Sequence, residues 1–107
     1  MSHTSRRILQ GLLFVASCAL AAAPALAADP GQGKAIAERW CASCHLVGPK
    51  QINATDLAPP FAYLARTPDF DQNKLAFLLL APHPNMPKVS LNRVEAADLA
   101  AYMLTLK

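Results

Sequence analysis

Cysteine, clustered charge and strand-like alternation are all scarce in this chain of 107 residues. Only Cys18 accompanies the close pair Cys41 and Cys44, so the second ligand pair that a structural zinc site needs is missing. From Ala28 to Lys107, eight basic residues face seven acidic ones, a formal charge of +1 without a basic cluster, and nothing indicates nucleic-acid binding. No segment alternates apolar and polar residues as a strand would. The sequence therefore predicts one small all-α domain.

The first 27 residues have the layout of a secretory signal peptide. Arg6 and Arg7 precede an apolar run over residues 8–23, and Ala25-Leu26-Ala27 follows as a small-x-small cleavage site. The run is short and alanine-rich beside the roughly 20 residues of a membrane-spanning helix. We expect cleavage after Ala27, export to the periplasm, and a mature domain over residues 28–107.

A second export signal overlaps the first. Val15-Ala16-Ser17-Cys18 resembles a bacterial lipobox, in which Cys18 would become a lipidated N-terminus. The cleavage site after Ala27 is the better-placed alternative, and we expect no strong membrane association unless Cys18 is lipidated.

The pentapeptide Cys41-Ala42-Ser43-Cys44-His45 carries the chemistry of the chain. Two thiols at this spacing can each add across a haem vinyl group, and a histidine directly after the second thiol can bind the iron. C-x-x-C-H is the signature of covalent c-type haem attachment. The pattern predicts one covalent haem c on Cys41 and Cys44, with His45 as a metal ligand.

Three other interpretations of the cysteine pair fit the sequence less well. A thioredoxin-like redox pair requires a βαβ context, which this sequence does not contain. A zinc site lacks its second ligand pair. A disulfide is possible in an oxidising compartment, but closing so short a loop constrains the unfolded chain very little and leaves His45 unexplained.

Helical periodicity indicates three main helices joined by loops. The first is predicted from residue 30 or 31 to 41 with Asp29 as N-cap, and the second from Thr67 or Asp69 to residue 80. The third begins at Asn92, where Glu95 completes a capping box, and continues close to residue 107. The expected apolar faces are Ile36 with Trp40, Leu75 with Leu78 and Leu79, and Leu99 with Tyr102 and Met103.

A sixth iron ligand is expected from the proline-rich stretch over residues 82–87. Met86 lies 41 residues after His45, far enough to reach the opposite haem face, and a thioether is a usual second axial ligand of cytochromes c. We therefore predict His45 and Met86 as the two metal ligands. His83 is the alternative ligand, and Met103 is interpreted as a core residue on the last helix.

From Gly31 to Lys107 the chain resembles a small bacterial class I cytochrome c. Gly33-Lys34-x-Ile36 leads into the C-x-x-C-H motif, Ala58-Pro59-Pro60-Phe61 matches the family's proline loop, and Leu99 to Tyr102 matches its terminal helix. The resemblance implies a cytochrome c fold wrapped around one haem.

The resemblance also assigns roles to single residues. It implies that the Pro59 carbonyl accepts the ring N–H of the proximal histidine and that Gly33 packs near Tyr102. One departure is that Ala37 stands where the family usually has an aromatic residue, with Trp40 as the obvious compensator.

The function that this arrangement implies is electron transfer between Fe(II) and Fe(III), not enzymatic catalysis. The chain would act as a periplasmic carrier or as a small haem subunit of a redox complex, with a dehydrogenase or terminal oxidase as partner. The alternative is a haem-based sensor or ligand-binding protein with a displaceable sixth ligand. The apolar haem shell is expected to comprise Ile36, Phe61, Leu75, Leu78 and Leu79.

Overall fold

A computed structural model of the chain describes residues 26–55, 57–81 and 85–107. These ranges form four helices and no strand, so the predicted all-α fold is confirmed: α1 Pro30–Trp40, α2 Phe61–Ala65, α3 Gln72–Leu80 and α4 Arg93–Leu104. Within these ranges, no helix combines the length and the apolar character that a bilayer crossing requires. Cys18, His83 and residues 1–25 of the predicted signal segment lie outside the described residues, and cleavage after Ala27 stays a prediction.

The first helix begins where its local sequence predicts. The Asp29 carboxylate accepts hydrogen bonds from the backbone N–H groups of Gly31 and Gln32, at 2.7 and 3.2 Å, while Pro30 occupies the first helical position. Because a proline has no N–H to satisfy, it suits a position where the helix could not use one. The predicted N-cap is confirmed.

Helix α1 crosses α4 at a point of very close approach. A Cβ atom built on Gly33 would lie 2.0 Å from the Asp98 carbonyl oxygen and 2.8 Å from the Tyr102 Cβ. Ala37, one turn later, is fully buried. The contact between Gly33 and Tyr102 that the resemblance implied is thereby confirmed, and only a glycine fits at the crossing.

The expectation that Trp40 forms part of the apolar face of α1 is wrong. Its side chain is 53% exposed, and the Arg39 guanidinium lies 5.0 Å from its ring centroid. The physical reason is that α1 presents the small residues Gly33 and Ala37 to α4, which leaves no space for an indole. Ile36 does pack against the core, although it is only partly buried.

Helix α4 is the centre of the core. Asn92 and Glu95 form the predicted capping box, in which each side chain accepts the backbone N–H of the other residue, at 2.9 and 2.8 Å. Leu99, Tyr102 and Met103 are 0%, 6% and 1% exposed, which confirms the predicted buried face and the core position of Met103.

The second predicted helix starts later than expected. Asp69 has a φ of 64°, in the left-handed region, so a helix cannot run through it. The Thr67 hydroxyl donates to the Leu64 carbonyl at 2.7 Å instead of capping a helix. Asp71 is the true N-cap of α3, since its carboxylate accepts the Lys74 N–H at 2.6 Å.

Helix α3 covers one side of α4 with part of its predicted apolar face. Leu75 and Leu79 are partly buried and pack against the core. Leu78, predicted to be buried with them, is 42% exposed, so that prediction is wrong for the protein chain alone. The reason is that Leu75 and Leu79 make the contact of α3 with the core, which leaves Leu78 beside that contact in solvent.

Candidate functional site

The C-x-x-C-H motif forms a compact turn directly after α1. The backbone N–H of Cys41 donates to the Ala37 carbonyl at 2.9 Å, so the first cysteine is the C-cap of the helix. The Cys41 carbonyl in turn accepts the N–H groups of Cys44 and His45, at 3.1 and 2.8 Å. This turn places both thiols and the imidazole within one short stretch of fixed backbone.

The two thiols have different surroundings. Cys41 is 6% exposed, Cys44 is partly exposed, and both are free, so no disulfide joins them. Burial, and to a lesser extent the nearby Cys44, raises the pKa of the Cys41 thiol to about 11. The neutral thiol is therefore the stable form of Cys41 in this fold.

The His45 ring is oriented by the proline loop. Its Nδ1 lies 2.7 Å from the Pro59 carbonyl oxygen, and since a carbonyl only accepts, Nδ1 carries the proton. The ring also lies against Phe61, with centroids 5.3 Å apart and planes tilted by 53°. This arrangement confirms the contact that the resemblance implied and leaves Nε2 as the nitrogen available to a metal.

The loop that carries Pro59 forms hydrogen bonds to the motif and to the residue after it, both before and after the proline. The Phe61 N–H donates to the Leu46 carbonyl at 2.9 Å, next to His45. Thr55 donates its N–H and its hydroxyl to the Cys44 carbonyl, at 3.2 and 3.3 Å. The position of the Pro59 carbonyl therefore depends on hydrogen bonds to the backbone beside His45.

Sequence reasoning missed one side chain at this site, Gln51. Its amide lies 2.8–2.9 Å from four backbone groups of the motif and of the loop after it: the Val47 N–H donates to Oε1, and the two Nε2 protons are shared among three carbonyl oxygens. A glutamine in a loop has no sequence signature that predicts such contacts, because the partners are three backbone carbonyls and one backbone N–H of no particular residue type. The adjacent Gly48-Pro49 turn was the only available hint.

Met86 lies in a second segment that the fold brings beside the motif. It lines one pocket together with Cys41, Leu79 and Leu99, and is itself partly exposed. The preceding Asn85 has a φ of 64°, so the chain turns sharply just before the methionine. The structure thus brings Cys41 and Met86 to the same pocket, whereas His45 does not line it.

The described residues fit a covalently attached haem. Two free thiols at this spacing match the groups that attach haem c, and an imidazole with an available Nε2 matches an iron ligand. The pocket beside Cys41 is lined mainly by apolar side chains. The exposed leucines on α3, Leu78 and Leu80, offer further apolar surface. Zinc does not fit equally well, because in the described ranges no three His, Cys, Asp or Glu side chains cluster as metal ligands.

Comparison with known proteins agrees with this geometry. Residues 31–107 match the family model for cytochrome c. The chain is 50% identical over 99 residues to cytochrome c-552 of Bradyrhizobium diazoefficiens. This alignment covers 92% of this chain and 95% of that protein. No solved structure gives a significant match.

Proposed function

The chain belongs to the cytochrome c family, as a small bacterial class I c-type cytochrome with one covalent haem c, and we propose that it carries electrons with His45 and Met86 as the axial ligands of the iron. Cys41 and Cys44 would form the two thioether bonds. Bound haem supplies one-electron chemistry by alternating between its ferrous and ferric states. The protein is an electron carrier, not an enzyme.

The hydrogen bond between His45 and Pro59 is the observation that carries the proposal. At 2.7 Å it fixes the tautomer of the imidazole and aims Nε2 away from the proline loop. An acceptor on Nδ1–H also makes Nε2 a more basic ligand, as is common for metal-binding histidines. A merely structural histidine would not need its second nitrogen left available.

The support for Met86 comes from its place in the fold. It lines the pocket that Cys41 borders, although it lies 45 positions after that cysteine in the chain. A thioether favours ferrous iron more than a second imidazole does, and so raises the reduction potential. With protein ligands in both axial positions, the iron would have no open site for a substrate, which suits a carrier and not a sensor.

The setting of the carrier follows from its first 27 residues, interpreted as a signal peptide. We place the mature protein in the periplasm, as a free carrier or as a small haem subunit of a redox complex. Its partners would be redox proteins such as a dehydrogenase or a terminal oxidase. The alternative lipidation of Cys18 would anchor the same domain to the membrane.

Absorption spectroscopy of the purified holoprotein tests covalent attachment. A haem that stays with the protein in acid-acetone is expected, and loss of holoprotein in a variant with Cys41→Ala and Cys44→Ala should follow. Complete extraction of haem from the wild-type protein would refute attachment through these thiols.

Proton NMR of the reduced protein tests the sixth ligand. A methionine bound to iron has methyl and methylene signals shifted strongly upfield by the haem ring current. These signals should vanish in Met86→Ala, and the reduction potential should fall by on the order of a hundred millivolts. Met103→Ala is the matched control, since this methionine is buried on α4, and it should keep the signals. Upfield signals that survive Met86→Ala, or are absent from the wild type, would contradict the assignment.

A further inference from the structure

Gln51 is placed where it can control the backbone of the C-x-x-C-H motif. Its Nε2 lies 2.8 Å from the Ala42 carbonyl oxygen and 2.8 Å from the His45 carbonyl oxygen. Ala42 stands between the two cysteines and His45 closes the motif, so one side chain bridges the interior and the end of the turn. No other side chain of the described residues donates a hydrogen bond to both carbonyls.

The amide of Gln51 can point in only one direction. Its Nε2 faces three carbonyl oxygens, the third being that of Asn53 at 2.9 Å, while Oε1 accepts the Val47 N–H at 2.9 Å. A flipped amide would place an oxygen against three oxygens and a nitrogen against an N–H. Both ends of the side chain are therefore fixed by their partners.

Gln51 is itself held by the rest of the fold. Its N–H donates to the Gly48 carbonyl at 3.3 Å, which closes a turn. Its partner Val47 is 2% exposed, and the carbonyl of that residue accepts the Tyr102 hydroxyl at 2.5 Å. A continuous set of hydrogen bonds thus runs from helix α4 through Val47 and Gln51 to the histidine.

We propose that Gln51 is a positioning residue, which holds the His45 backbone so that the imidazole keeps its hydrogen bond to Pro59 and its Nε2 stays aimed at the iron. This inference rests on the proposed function, since it takes His45 as the proximal ligand. The ring is oriented from two sides. Pro59 fixes its Nδ1, and Gln51 fixes the main chain from which the ring extends.

The test compares Gln51→Met with Gln32→Met in the reduced holoprotein. Methionine has nearly the length of glutamine but cannot donate to the three carbonyls, and Gln32 is an exposed glutamine on α1. Exchange of the His45 Nδ1 proton with deuterated solvent, followed by NMR, should be about tenfold faster in Gln51→Met. That factor corresponds to roughly 1.4 kcal/mol, the net contribution of one or two hydrogen bonds.

The reduction potential gives a second readout that stability alone would not change. A looser bond between His45 and Pro59 makes the imidazole less basic, so the potential of Gln51→Met should rise, while that of Gln32→Met stays at the wild-type value. If exchange and potential both match the control and only the melting temperature falls, Gln51 has a purely structural role and the proposal is wrong.

A measurement on the wild-type protein covers the case in which Gln51→Met yields no holoprotein. The side-chain amide protons of Gln51 should exchange much more slowly than those of Gln32 and show nuclear Overhauser contacts to Ala42. Exchange as fast as that of Gln32 would overturn the proposal. This result concerns only the amide of Gln51, so it is independent of whether the spectra support His45 and Met86 as ligands.

Discussion

The crossing of α1 and α4 gives the sharpest prediction for stability. In Gly33→Ala the new methyl carbon would lie 2.0 Å from the Asp98 carbonyl oxygen, where an ordinary contact begins at 3.4 Å. The two helices would have to separate by more than 1 Å, because the obstacle is backbone and cannot rotate away. Alanine gains about 1 kcal/mol as a helix former, but overpacking typically costs about 1–3 kcal/mol, and about 3–5 kcal/mol is expected here because the obstacle is backbone. We expect a net loss of roughly 2–4 kcal/mol.

Thermal unfolding of the reduced holoprotein, followed by far-ultraviolet circular dichroism, measures this loss. For a domain of this size, 2–4 kcal/mol corresponds to a melting temperature lower by roughly 10–30 °C. Gly31→Ala is the matched control in the same helix, since its Cβ would meet only the flexible Asp29 carboxylate, at 3.1 Å. A Gly33→Ala variant as stable as Gly31→Ala would refute the close packing described for the crossing.

Three further predictions concern the residues of α4. Burial first, and the charge of Glu38 second, raise the pKa of Tyr102 above its ordinary value of 10.0. This side chain therefore contributes stability that is present below pH 10 and is lost as the pH rises through the raised pKa. In urea titrations, the free energies of unfolding of the wild type and Tyr102→Phe should converge at alkaline pH, and a constant difference between them would contradict this. Asp98→Ala removes the carboxylate that accepts the Asp29 N–H at 2.7 Å and should lower the free energy of unfolding by about 1–3 kcal/mol in urea titrations, whereas an unchanged midpoint would count against the contact. Met103→Ala should cost roughly 2–5 kcal/mol while leaving the visible spectrum unaltered, and a changed spectrum would mean that Met103 contacts the haem.

The sequence predicts features whose causes are local. The N-cap at Asp29 and the capping box of Asn92 and Glu95 involve residues within three positions of each other, so their side chains identify the starts of α1 and α4. The buried face of α4 follows from helical spacing alone. The contact of His45 with Pro59 was expected only from the family resemblance, because no rule of spacing implies it.

Other features could not be predicted from the sequence, because they depend on which of two possible N-caps is used or on residues distant in the chain. Thr67 and Asp71 are both acceptable N-caps, and the left-handed backbone at Asp69 decides for Asp71. Trp40 has the spacing of a core residue, but the narrow crossing at Gly33 excludes it. The bonds of Gln51 reach three backbone carbonyls and one backbone N–H, groups that almost every residue possesses, so no pattern of side chains could indicate them.

The pairing of α1 with α4 has a consequence for the order in which the molecule is assembled. The two helices span Pro30–Trp40 and Arg93–Leu104, so the first cannot be packed until the last helix has been synthesised. Closing a loop of this length is entropically costly and delays the non-local contact. Cys41, 6% exposed in the folded chain, extends directly from α1 and stays open to solvent until then. The interval before the chain ends meet is therefore the period in which its thiol is most accessible to a reaction partner.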